Sequence, residues 1–217
     1  MPADLIHLVR HGEVFNPSGV LYGTLPEFHL SDLGQRMARL AAESLAGHPI
    51  ASVTASPLTR TRESAEPWLE LFHLPLNIDE QLIEPANSFE GVNIRRALKR
   101  NPLLVRHLVN PWKPSWGEPF VSIAARMMQA VATAHASVDR GEVVLVSHQL
   151  PIWMVARTVK GKRLASDPRH RRCTLSSITT VAWHPGAGPG GTGAFTEVDY
   201  QEPAAALLSE SIDLGAV

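Results

Sequence analysis

Cysteine is nearly absent from this sequence: Cys173 stands alone among 217 residues. That excludes an internal disulfide framework and agrees with a reducing compartment. Nothing beside Cys173 in sequence resembles a nucleophile motif, so it is not expected to be catalytic. Net charge is lacking as well, with Lys+Arg 20 against Asp+Glu 21 leaving -1 at pH 7. There is thus no global reason to expect nucleic acid or a membrane surface as partner, and any anion site must come from local clustering. No apolar run approaches the roughly 18 residues needed to span a bilayer. Met1-Pro2-Ala3-Asp4 offers no charged n-region, and the apolar segment after it is too short for a signal peptide, so a soluble, cytoplasmic protein is expected. No internal repeat is present.

What remains is an ordinary globular composition, 44% hydrophobic and 19% charged, on a length suited to one domain spanning residues 1–217. Four of the five residues 5–9 are apolar, which predicts a strand buried on both faces that runs into Arg10-His11-Gly12. Arg10 offers a planar fork of donors, and Gly12 removes a side chain where a ligand would need room. Asp32 with Gln35 predicts a capping box for a helix whose Leu33, Met37, Leu40, Ala41 and Leu45 share a face. Residues 51–54 predict a second strand, and a strand, a helix and a strand in this order predict a parallel sheet.

Ser56 then predicts an N-cap, with Pro57 in the first turn of a helix that Pro67 kinks or ends. A short strand is expected at 76–79. Residues 82–117 read as an insertion capping the active site, with Arg95, Arg96, Trp112, Lys113 and Trp116 among those that would shape substrate selectivity. An amphipathic helix follows over 120–138, and then the clearest buried strand, Val143-Val144-Leu145-Val146, which ends in Ser147-His148. Lys160 to Arg172 forms a basic loop, either a substrate contact or a solvated surface. Residues 177–183 and 194–200 predict a final strand pair, and the tail after Pro203 a frayed terminus.

In a parallel α/β sheet, ligands bind beyond the carboxyl ends of the strands. Arg10-His11-Gly12, residues 56–62 and Ser147-His148 each follow a strand candidate at that end. Together they would form a cradle for a dianionic oxyanion, phosphate foremost. A metal site is disfavoured here, because His11 and His148 show no HxH or HxxxH spacing and guanidiniums repel a cation. A neutral imidazole among cations is instead suited to attack phosphorus.

These residues resemble the histidine phosphatase superfamily, also called phosphoglycerate mutase-like. Arg10-His11-Gly12 matches its Arg-His-Gly, residues 56–65 match its Ser-Pro-Leu-x-Arg-Thr-x-x-(Ser/Thr)-Ala, and Ser147-His148 matches its late Ser-His. The resemblance implies a three-layer α/β/α sandwich with a mostly parallel sheet and a helical insertion. It further implies His11 as the nucleophile that becomes phosphohistidine, and Arg10, Arg60 and His148 as the phosphate pocket, with Gly12, Asn16 and Ser147 as further substrate contacts. Its Leu-x-Glu segment falls on Leu82-Ile83-Glu84, which implies Glu84 as proton donor, with Glu90 as the rival because the stretch between is short and lacks a glycine. Gln149 stands where the family commonly has glycine, and Glu13 is usual there without an assigned role.

The implied activity is hydrolysis of a small phosphorylated substrate, a phosphomonoester, without metal or other cofactor. A phosphoglycerate mutase-type transfer is the alternative, disfavoured because the Arg/Lys-rich and Tyr-Gly segments of glycolytic mutases have no counterpart around Glu84. A non-catalytic phospho-ligand-binding member is the third reading.

Overall fold

A computed structural model describes residues 2–93, 117–165, 170–188 and 192–213. Six strands form one sheet: β1 (Leu5–Arg10), β2 (Ile50–Ala55), β3 (Leu76–Ile78), β4 (Glu142–Ser147), β5 (Ile178–His184) and β6 (Ala194–Gln201). Their order is β3-β2-β4-β1-β5-β6. β3, β2, β4 and β1 run parallel, while β5 and β6 close one edge antiparallel. The centre of the sheet is therefore β4 beside β1, the two strands with the most continuous apolar runs.

Alternation along those strands feeds two layers of helices. Ile6, Leu8, Val143 and Leu145 pack against α3 (Phe120–Ala136) and α4 (Gln149–Val159) through Ile123, Met127, Val131, Ile152 and Val155. Val9, Val144 and Val146 point the other way, onto α1 (Asp32–Ser44) and α2 (Thr59–Phe72) through Ala41, Leu45, Ala65 and Trp68. Each Leu, Ile or Val so buried contributes about 1.5–3 kcal/mol. The result is the expected three-layer sandwich with a mostly parallel sheet. No helix among the described residues is long and apolar enough to cross a membrane.

Several local expectations shift. The cap of α1 is Ser31, whose hydroxyl accepts from the Gly34 amide, rather than Asp32, and Leu40 lies at the edge of the buried stripe, 36% exposed. Helix α2 starts at Thr59 with no side-chain cap, and it runs through Pro67 to Phe72. The lost backbone hydrogen bond is tolerated because Ala65 and Trp68 on either side are fully buried. The tail after Pro203 does not fray: a 3-10 turn over Ala205–Glu210 presses Leu207, with Ala204 before it, onto Met37 of α1 and Leu175. The expected helical pieces of the 82–117 insertion lie outside the described residues, with Arg95, Arg96, Trp112, Lys113 and Trp116. At its flanks Asn87 and Gly117 form an antiparallel bridge.

Candidate active site

The carboxyl ends of β1, β4 and β2 lie side by side, since Arg10 registers with Ser147 and Ala55 with Val146. Continuing each strand by one or two residues delivers His11, His148 and Ser56 to one place. The rings of His11 and His148 are 5.3 Å apart, and both residues are buried.

His11 Nδ1 lies 2.7 Å from the Gly12 carbonyl oxygen. A carbonyl only accepts, so Nδ1 carries the proton and Nε2 is left with its lone pair. Burial, then the Arg60 and Arg10 guanidiniums, hold this imidazole well below its usual range, against the pull of the Gly12 bond. His148 is likewise depressed, by burial first and then by Arg60 and His11. Its Nε2 is 2.8 Å from the Ser56 hydroxyl, while Nδ1 is buried without a hydrogen-bond partner, 3.8 Å from the Glu84 carboxylate. Ser56, expected to cap α2, serves the imidazole instead.

Arg10 and Arg60 are both buried. Arg60 lies 4.7 Å over the ring of Tyr22 and donates to the Gly23 carbonyl at 2.5 Å, and its Nε faces no partner. Arg10 donates to the Cys173 carbonyl at 2.8 Å and, through both terminal nitrogens, to the Asp213 carboxylate at 2.7 Å each, its Nε also free of a partner. Two buried guanidiniums thus each keep an N–H unpaired at the same end of the sheet, and with Ser56 Oγ as donor to His148 Nε2 the unpaired Nδ1 of that imidazole would be a third such donor, a set suited to an anion with several oxygens. Tyr22 and Asp213 were not found from the sequence. Tyr22 lies in a loop without periodicity, and Asp213 is about 200 residues from its partner in an unpatterned tail.

Glu84 follows the turn Glu80–Leu82, which is held from two sides: Ser147 Oγ donates to the Leu82 carbonyl at 2.7 Å and Arg126 to that of Gln81 at 2.5 Å. Burial pushes the Glu84 carboxyl up to about 7, with Arg60, Arg10, Arg171 and Arg126 pulling the other way. Glu90 is differently employed, accepting from the Thr24 amide and hydroxyl, both at 2.8 Å, and from the Asn87 amide at 3.0 Å. It holds the loop that carries Tyr22 and Gly23.

Three expected substrate contacts are committed to the protein itself. Ser147 gives its hydroxyl to Leu82, as above. Asn16 ties its own loop, donating to the Val20 carbonyl at 2.7 Å and accepting from the Val20 amide at 3.2 Å. Gly12 gives its amide to Ser64 Oγ at 3.1 Å, and a Cβ there would lie 2.3 Å from the Gly34 carbonyl oxygen. Its missing side chain makes room for α1. Glu13 acquires a role, accepting from Ser31 Oγ at 2.5 Å and from the Ile212 amide at 2.6 Å, so it joins the α1 cap to the C-terminal segment. Gln149 opens α4 with no positive φ, so no glycine is required there. In the basic loop, Lys160 and Arg172 both pair with Glu197 on β6, Lys162 and Arg163 are exposed, Arg171 adds its charge at Glu84, and Arg169 is outside the described residues. Cys173 is buried and its thiol is pushed up to about 11 by that burial, which leaves it inert at neutral pH.

The family model described as histidine phosphatase superfamily (branch 1) matches residues 6–189. Uncharacterized protein Rv0525 of Mycobacterium tuberculosis is 46% identical over 208 residues, covering 94% of this chain and 100% of that protein. The 2,3-bisphosphoglycerate-dependent phosphoglycerate mutase of Thermoplasma acidophilum is 29% identical over 151 residues, covering 67% of this chain and 70% of the mutase. Among solved structures, mycobacterial glucosyl-3-phosphoglycerate phosphatase Rv2419c superposes with a TM-score of 0.71 at 25% identity, covering 89% of this chain and 96% of that one.

Proposed function

Since this chain belongs to the histidine phosphatase superfamily, we propose that it is a phosphomonoesterase working through a phosphohistidine on His11, with Glu84 as proton donor. The observation that carries this reading is the His11 tautomer: with Nδ1–H bound to the Gly12 carbonyl, Nε2 is an unprotonated nucleophile in a buried site. Its lone pair attacks phosphorus and the ester P–O bond breaks. The departing oxygen takes the proton of Glu84, whose carboxyl is pushed up to about 7 and so still holds a proton near neutrality. Water then attacks the phosphohistidine, gives a proton to the Glu84 carboxylate and breaks the N–P bond, releasing inorganic phosphate and restoring both groups. Arg10, Arg60 and His148 Nδ1–H offer donors to the phosphoryl oxygens as charge moves onto them, so the charge-stabilising part of the chemistry needs no metal. A small phosphorylated molecule is the substrate class. The glucosyl-3-phosphoglycerate phosphatase and the phosphoglycerate mutase are named for phosphate esters of that kind.

The test is a panel of phosphomonoesters incubated with purified protein, with and without EDTA, scored for free phosphate and for acid-labile phosphoprotein. Phosphate release that survives chelation and disappears in His11→Ala is expected. Full activity of His11→Ala would sink the mechanism, loss on chelation would refute its independence of metal, and isomerised phosphoglycerate without free phosphate would identify a mutase.

A further inference from the structure

At the opposite end of the sheet, where the parallel strands begin, three side chains with no part in the phosphate chemistry converge. His7 of β1 and Glu142 at the start of β4 are buried, and His48, from the connection between α1 and β2, is half-exposed. His7 Nε2 and His48 Nδ1 both lie 2.8 Å from the same atom, Glu142 Oε2. These three ligand atoms all fall within 4.8 Å of one another. His11 is four residues further along the chain from His7, which puts this cluster about 13 Å from the phosphate site.

We propose that His7, His48 and Glu142 form a binding site for a divalent transition-metal ion, zinc being the best match, with a water in the fourth position. Two imidazole nitrogens and one carboxylate oxygen are a donor set that zinc takes up in tetrahedral geometry. With bonds near 2.0–2.1 Å, such donors sit roughly 3.3 Å apart. Each imidazole therefore has to withdraw from Glu142 Oε2 by only about 0.5 Å to admit the ion. His48 has that freedom, because its side chain is 40% exposed, and the same exposure supplies an entry path and space for the water.

An outer shell is already in place. His7 Nδ1 lies 3.0 Å from Thr180 Oγ1 on β5. Metal-binding histidines characteristically donate their second ring N–H to such a partner, which fixes the ring and its tautomer. The Asp199 carboxylate adds negative potential at His7, the sign that favours a cation. The exchange balances without an external reactant. Without the ion, the His7 and His48 rings donate Nε2–H and Nδ1–H to the Glu142 carboxylate. On binding, each ring moves its single proton to its other nitrogen, toward Thr180 in one case and solvent in the other, and the freed lone pairs take the metal. The two hydrogen bonds hold the cluster when the ion is absent, so the ion ties β1, β4 and the α1–β2 connection together without being needed for the phosphate chemistry.

The test uses full-length, tag-free protein, stripped with chelator and titrated with zinc chloride in phosphate-free buffer by calorimetry, with thermal unfolding followed in parallel. One ion per chain and a saturable rise in Tm are expected. His48→Asn, a change at the half-exposed member, and Glu142→Gln should each weaken binding by roughly 100-fold or more, whereas Thr180→Val should cost about 10–100-fold as an outer-shell loss. His48→Asn should keep its phosphomonoesterase turnover, which separates this site from the one at His11. Absence of saturable binding, or stoichiometric binding that persists in His48→Asn, overturns the proposal. Should Glu142→Gln fold poorly, His48→Asn decides alone. Replacing zinc by cobalt gives a second readout, a visible absorption band expected in the native chain and absent from His48→Asn.

Discussion

Glu84→Gln separates stability from chemistry at the proposed proton donor. The Glu84 side chain is 16% exposed, and its burial raises the carboxyl from the ordinary 4.5 to about 7. A carboxyl raised on folding favours the protonated chain, so its contribution is fully present below the unfolded value and is lost as pH rises through about 7. At about 1.36 kcal/mol per pH unit, holding Glu84 ionised in the folded chain costs on the order of 3 kcal/mol. Glutamine cannot ionise and escapes that cost. The variant should match the native chain near pH 4 and exceed its stability by up to about 3 kcal/mol at about pH 8.5. For a chain of this size that is several degrees in Tm, at roughly 2–4 °C per kcal/mol. Over the same range kcat should fall by roughly 10²–10⁴-fold on an alkyl phosphate, and much less on an aryl phosphate whose leaving group needs no proton. Thermal unfolding of both proteins across pH, with kcat on one substrate of each kind, makes the check. A stability difference that does not grow with pH refutes the buried carboxyl, and an unchanged kcat on the alkyl phosphate refutes its role.

Asp213→Asn should tighten competitive inhibition by inorganic phosphate by about threefold to tenfold, because the carboxylate now sharing the Arg10 fork is gone; unchanged inhibition would mean that the two anions do not compete. Gly12→Ala and Gly34→Ala place a Cβ 2.3 Å and 2.0 Å from a backbone carbonyl oxygen, and each should cost about 3 kcal/mol or more in urea unfolding. Ser147→Ala leaves the Leu82 carbonyl unpaired and should destabilise by about 1–3 kcal/mol while lowering kcat more than it raises KM, since the turn before Glu84 loosens.

The parts of this molecule that sequence exposes are those carried by short-range pattern. Residues 143–146 are apolar without interruption, and residues 5–9 are apolar except for His7, because both faces of β4 and β1 are covered, and the pattern reveals that directly. The motif residues His11 and His148 were legible because each directly follows a strand, and Arg60 because it opens the helix after β2. What escaped is what depends on contacts between distant segments. Ser56 has the composition of a helix cap, yet its hydroxyl goes to His148, 92 residues away. Ser147 looks like a ligand contact by position, yet it holds Leu82. The proposal of Glu84 over Glu90 as donor leans on Thr24 occupying Glu90, 66 residues distant, a contact that no local pattern shows. The tail reads as frayed because Ala204 and Leu207 form no periodic face, and only the Met37 and Leu175 surface gives them a place to bury.

Charge balance at the strand ends explains why that tail matters. Two buried guanidiniums are costly unless each finds a partner, and the two solve the problem differently. Arg60 is satisfied by neutral groups, the Gly23 carbonyl and the face of Tyr22, so its full charge persists in the site. Arg10 is neutralised by Asp213, which reaches it only because Leu207 and the Glu13–Ile212 hydrogen bond bring the last described residues across the molecule. With both histidines pushed toward the neutral form, chiefly by burial, Arg10 and Arg60 together contribute close to one positive charge while Asp213 is in place and would contribute two once it withdraws. A phosphomonoester at neutral pH carries close to two negative charges. The dianion is therefore matched by the arrangement in which phosphoryl oxygens replace the Asp213 carboxylate on Arg10, and a singly charged anion by the one in which they do not.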